Sequence, residues 1–190
     1  MRVAFFGGSF DPPHIAHVMA VVHLRSLFEF ERILVVPVLE HPFDKHLTPF
    51  DHRRRMCALA MGWVPATDIS PVERELVTPS LTVRTLRHLR QTHPDFELRL
   101  VIGADVLDEV HKWHAFDAVT KLAPPLVLGR VGHERPEAGP QMLPEVSSSK
   151  VREWLRQRES PEFQSRLREV VPVAVLRYID EHGLYRPGSR

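Results

Sequence analysis

The sequence predicts an α/β fold: a single doubly wound domain over residues 1–190, built on a mostly parallel sheet. Three observations predict it. Short apolar, β-branched runs alternate along the chain with longer segments whose apolar residues recur at helical spacing. The first run ends in two glycines and two prolines, the layout of a strand feeding a helix start. The length suits one domain that buries roughly 70% of its unfolded surface.

The first strand is predicted over 3–6, Val-Ala-Phe-Phe. Gly7 and Gly8 follow, where backbone conformations closed to other residues are expected. Pro12 or Pro13 suits the first helical position, which puts His14 and His17 on one face of the first turn. Ile15, Val18, Met19, Val22, Leu24 and Leu27 carry that helix to 28. A second strand covers 32–37. Residues 39–50 hold prolines, histidines and charges without periodicity, a loop at the ligand-binding end of the sheet. A helix over 51–63 has Asp51 as its cap. A short third strand covers 67–71, and a helix over 81–92 is capped by Ser80. The fourth strand, 96–102, ends at Gly103-Ala104-Asp105. Short helices at 106–111 and 115–122 flank Trp113, and a fifth strand spans 125–128. The stretch 131–141 is loop, 143–146 a sixth strand, 147–158 a helix opened by three serines, and 173–182 a last helix ended by Gly183.

Composition narrows the function. Apolar residues make 43% and charged residues 26%, ordinary for a soluble globule. A formal net charge of +1 gives no field that draws the chain to nucleic acid or to a membrane surface. The one cysteine, Cys57, excludes an internal disulfide, fits a reducing compartment and falls in an apolar helical pattern. No signal peptide is visible, and no apolar run approaches the roughly 20 residues that cross a bilayer. The expectation is a cytoplasmic protein with small-molecule partners, no nucleic acid and no membrane, its homo-oligomeric state left open.

Chemistry concentrates in a few places. A strand, a glycine turn and a helix start make an anion site, because free N–H groups and the helix dipole point there. Gly7, Gly8, Ser9 and Phe10 supply its main chain, and His14 and His17 set two imidazoles beside it. Ser147, Ser148 and Ser149 open a late helix, where serines bond free N–H groups or a phosphate. Arg152 lies one turn on and can reach back over that end. Gly103 and Asp105 end a strand, which suits a nucleotide base or ribose hydroxyl. Trp113 offers a face for stacking, although most tryptophans pack in cores. No cluster of carboxylates is spaced as a metal cage, and the twelve histidines show no zinc pattern.

The opening motif lacks the ending of a P-loop and the third glycine of a dinucleotide fingerprint. It resembles the Gly-Gly-x-Phe-x-Pro-x-His-x-Gly-His signature of the nucleotidyltransferase superfamily, with Gly7, Gly8, Phe10, Pro12, His14 and His17 in place and Ala16 for the glycine. Residues 147–152 look like that superfamily's Ser-Ser-Thr-x-Ile-Arg element, with Ser149 for Thr and Val151 for Ile. Ile-Gly-Ala-Asp at 102–105, followed by Trp113, resembles the nicotinate mononucleotide adenylyltransferase branch, as does Pro79-Ser80-Leu81-Thr82-Val83-Arg84. Leu81 there replaces an aromatic residue and Arg84 an acid; Arg84 either attracts a carboxylate or faces water. Lys45 stands where the branch has a basic residue, or is a solvated loop lysine, and Asp44 stands where the branch has His. Arg130 matches an arginine near the nucleotide, and 171–185 resembles the branch's C-terminus.

That resemblance implies a Rossmann-like nucleotidyltransferase fold and a reaction: ATP plus nicotinate mononucleotide gives deamido-NAD and pyrophosphate. It implies catalytic roles for His14, His17 and Arg152. It places Gly7, Gly8, Ser9, Phe10, Gly103, Asp105, Arg130, Ser148 and Ser149 at ATP. It places Lys45, Ser80, Thr82 and Trp113 at the mononucleotide. Mg²⁺ is expected on the ATP phosphates, with no protein-built metal site. Nicotinamide mononucleotide or phosphopantetheine as acceptor, and a nucleotide-binding regulator without catalysis, stand as alternatives.

Overall fold

Why the central strands form is plain from their composition. Strands buried on both faces read as continuous apolar runs, and residues alternate between the faces. In β1 (Arg2–Gly8), Ala4 and Phe6 join one core while Val3 and Phe5 join the other. In β2 (Arg32–Pro37), Ile33 and Val35 face the first core and Leu34 and Val36 the second. The computed structural model describes residues 1–40 and 46–186. Its sheet continues with β3 (Thr67–Ile69), β4 (Glu97–Gly103), β5 (Pro125–Arg130) and β6 (Gln141–Leu143). The order is β3-β2-β1-β4-β5-β6, and every pairing is parallel.

Helices cover both faces, as doubly wound sheets require. The first core takes α1 (Ile15–Leu27), α2 (Phe50–Met61), α5 (Ser148–Arg156), α6 (Pro161–Val170) and α7 (Val173–Glu181). The second takes α3 (Thr82–Thr92) and α4 (Phe116–Leu122). Cys57 lies fully buried in α2.

Several expectations need correction. Gly7 and Gly8 continue β1 into its last residues; the left-handed residue of the turn is Phe10, at φ 48°. Both prolines precede α1, and His14 is its N-cap instead of a first-turn residue. Asp51 lies inside α2, behind Pro49 at the N-cap. Leu81, not Ser80, is the N-cap of α3. The segment 106–111 is replaced by two 3₁₀ turns, Ala104–Asp108 and Val110–Lys112. The sixth strand sits at Gln141–Leu143 and pairs with the end of β5, so 144–146 is the entry to α5 instead of a strand. Helix α6 was not anticipated, because only Leu167 of it is buried, although Ser160 and Pro161 are a start signal.

Candidate active site

Strands β1 and β4 are paired only from Arg2↔Glu97 to Phe5↔Leu100. β1 stays with β2 as far as Gly8↔Pro37. The sheet therefore parts at the carboxyl ends of its two central strands, where the strand order reverses. Such switch points are where open α/β sheets bind ligands.

Two cavities open there. One, of about 720 Å³, is lined by His14, His17, Arg130, Ser148, Ser149 and Arg152, with Ser9 and Asp105 at its edges. The other, of about 400 Å³, is lined by Gly7, Gly8, Ser80, Thr82 and Trp113. Ser9, Val106 and Glu109 border both, so the cavities adjoin. A larger space of about 830 Å³ lies among α5, α6 and α7, and no motif residue lines it. Size alone does not make it the site.

The start of α1 fixes the imidazoles. The main-chain N–H of His14 donates to Nδ1 of His17 at 3.1 Å. Nδ1 is thus an acceptor, which assigns the proton to Nε2 and makes the ring a neutral donor. Phe10 meets the ring edge-on at 4.9 Å, and His14 stacks on it at 3.8 Å. Burial, then the Arg130 charge, pushes His17 down to about 3. The residue as a whole keeps partial exposure on the cavity side. Burial, then His17 and Arg130, hold His14 well below the ordinary imidazole range. Nδ1 of His14 is buried with no partner among the described residues.

The start of α5 faces the same cavity. Ser147 caps the helix by accepting from the Lys150 N–H. Ser148 donates to the Pro12 carbonyl at 3.0 Å, docking α5 on the turn before α1. Arg152 donates to the Asp11 carbonyl at 2.6 Å and to Ser149 Oγ at 3.1 Å. Arg130 bonds the Asp105 carboxylate and the Val146 carbonyl, tying β5 to the end of β4 and to the entry of α5. One Asp105 oxygen and Nε of Arg130 stay buried without partners among the described residues. Gly103 lines neither cavity; a Cβ there would collide with Asp105 Oδ1, so the glycine admits that carboxylate. Phe10 is buried beneath the turn. Ser80 accepts from the Leu39 and Glu40 N–H groups, so its hydroxyl holds the loop instead of capping α3. Lys45 lies outside the described residues.

Three supporting residues escaped the sequence reading. Arg53 is 1% exposed and donates to the carbonyls of Thr48, Ser9 and Leu39. It ties the exit of β1 to the loop between β2 and α2. Its phase was a signal: Met56, Cys57 and Ala60 lie three, four and seven residues on and are buried. Asp11 is buried as well, and Tyr185 donates to it.

A parallel sheet with two helix starts closing on one polar cavity, beside an apolar one with a tryptophan, is the layout of a nucleotidyltransferase. The comparisons agree. Residues 5–154 match the cytidylyltransferase-like family. A protein of Anaeromyxobacter sp. strain K, named "Probable nicotinate-nucleotide adenylyltransferase", is 41% identical, covering 97% of each chain. Relatives with that name in Myxococcus xanthus and Thermus thermophilus are 35% and 34% identical, covering 97% and 98% of this chain and 95% and 100% of theirs. The Plasmodium falciparum nicotinic acid mononucleotide adenylyltransferase complexed with NaAD superposes with TM-score 0.80 at 20% identity, covering 97% of both chains, and shows the same fold. The chain belongs to the nicotinate-nucleotide adenylyltransferase family of cytidylyltransferase-like proteins.

Proposed function

We propose that this chain, acting as one nucleotidyltransferase domain, transfers the adenylyl group of ATP to nicotinate mononucleotide, giving deamido-NAD and pyrophosphate in NAD biosynthesis. The observation that carries the reading is that His17 and Arg152, 135 positions apart in sequence, line one cavity. Family membership supports the substrate pair.

A phosphate oxygen of the mononucleotide attacks the α-phosphorus, and the bond to the β-phosphate oxygen breaks. That attacking group is already ionised near neutral pH, so no base is needed. What remains is to hold two polyanions in line and stabilise charge on the α-phosphate and the leaving pyrophosphate. His17 donates Nε2–H to the transferring phosphate as a neutral imidazole, and His14 stands beside it. Arg152 supplies positive charge to the β- and γ-phosphates, with the N–H groups at the start of α5. Asp105, which lines the same cavity, accepts from the nucleoside of ATP. Trp113 and the start of α3 near Thr82 take the pyridine ring and its carboxylate.

Among the described residues, no group of three His, Cys, Asp or Glu side chains is placed to hold a metal ion. Mg²⁺ enters this reading as part of the Mg–ATP substrate, with no step assigned to it. The buried free thiol of Cys57 suits a cytoplasmic setting. No helix of the described residues is long and apolar enough to cross a membrane.

The test is pyrophosphate release from ATP with three acceptors in parallel. Nicotinate mononucleotide is expected to give the highest kcat/KM. Faster turnover of nicotinamide mononucleotide or phosphopantetheine would overturn the acceptor, and release with none of them would overturn the activity.

A further inference from the structure

Tyr185 lies beyond α7, yet its phenol reaches the turn before α1. It donates to Asp11 Oδ1 at 2.5 Å, across 174 residues of sequence. Asp11 is 1% exposed and stands between the two site helices. Its main-chain oxygen accepts from Arg152 at 2.6 Å, and its Oδ2 accepts from the Thr48 N–H at 3.3 Å. Tyr185 holds φ 60° and Phe10, next to Asp11, holds φ 48°, both in the left-handed region that bulky side chains avoid. Two such residues meeting at one buried carboxylate mark a place where the surrounding fold over-determines the backbone.

Electrostatics explain why a phenol belongs there. Nη1 of Arg152 lies 4.0 Å from Asp11 Oδ2, farther than its bond to the Asp11 carbonyl. A buried carboxylate short of donors gains most by closing on the nearest cation. The nearest is Arg152, and closing that ion pair withdraws the guanidinium from the cavity. Burial, then the Asp11 charge, raises the Tyr185 hydroxyl, which stays protonated and donates at any physiological pH.

We propose that Tyr185 is a positioning residue for the phosphate site: by satisfying the Asp11 carboxylate it leaves Arg152 on the Asp11 carbonyl and aimed into the cavity. This rests on the reading that Arg152 holds the ATP phosphates. The C-terminal end of the chain then sets the geometry of the first loop, and the mononucleotide cavity is indifferent to it.

The test is Tyr185→Phe, which keeps the ring and removes one donor. kcat/KM for ATP is expected to fall about tenfold, the scale of one hydrogen bond to a charged group, with KM for nicotinate mononucleotide within about twofold. Adding Asp11→Asn, which removes the charge competing for Arg152, is expected to restore most of the loss. An unchanged kcat/KM, an equal loss toward both substrates or no rescue by Asp11→Asn would each overturn the proposal. Calorimetric binding of a non-hydrolysable ATP analogue separates the two ideas. Weaker binding by Tyr185→Phe alongside an inactive wild type would sink the proposed reaction and keep the positioning role. Should Tyr185→Phe not fold, the double variant, which lacks the Asp11 charge, is measured alone. It is expected to bind the analogue within about threefold of wild type; weakening beyond about tenfold contradicts the proposal.

Discussion

His17 is the residue on which most of the proposed chemistry converges. Its Nδ1 is occupied by the His14 N–H at 3.1 Å, so Nε2 is the nitrogen left to donate to a ligand in the cavity that His17 lines. A donor fixed before substrate arrives needs no reorganisation at the transition state. His17→Ala is expected to lower kcat by at least about a hundredfold, the scale lost with one such donor. Steady-state turnover near wild type would remove His17 from the mechanism. Protonation gives a second prediction. His14 and His17 titrate below their ordinary value of 6.5, so the unfolded chain takes up protons there before the folded one does. Stability from the neutral form of His17 is complete above pH 6.5 and lost as pH falls toward 3, and His14 loses its share in the same direction. Urea unfolding is expected to show stability declining below pH 6.5, with a shallower decline in His17→Gln, by at most about 1.4 kcal/mol per pH unit. A decline unchanged in that variant would contradict the assigned shift.

At the scale of elements, the account depends on how α1 and α5 are brought together. Ser148 and Arg152 grip the carbonyls of Pro12 and Asp11, so the second helix start docks on the first. Arg53 does comparable work beneath, with three partly buried carbonyls on one buried guanidinium. Arg53→Met is expected to cost about 3 kcal/mol of stability, because those carbonyls lose their donor in a buried place. A denaturant titration showing a loss under about 1 kcal/mol would show that water replaces the guanidinium. These elements differ in how far the sequence reveals them. Central strands were legible because burial on both faces demands unbroken apolar runs such as 33–36. Both motifs that share the polar cavity were legible because their residue types and spacing are rigid. Helix starts slipped by a residue or more, since His14 caps α1 with its own main chain and leaves no Ser or Asp to mark the place. Arg53 could have been found from its helical phase. The Asp11–Tyr185 bond could not, because nothing local in either segment encodes a contact 174 residues away.

For the whole molecule, the strand order puts the polar and apolar cavities side by side. β1 and β4 separate after Phe5 and Leu100, and the polar and apolar cavities meet at Ser9, Val106 and Glu109. In the proposed reaction, a phosphorus held on the polar side would lie next to a nucleotide held on the apolar side, as in-line transfer between two polyanions requires. The central claim is that the starts of α1 and α5 hold one triphosphate. A crystal structure with a non-hydrolysable ATP analogue measures this directly. The account predicts phosphates between Nε2 of His17 and the Arg152 guanidinium, over the first turn of α5. Phosphates lodged instead among Arg156, Arg158 and Arg168, in the space between α5, α6 and α7, would contradict it.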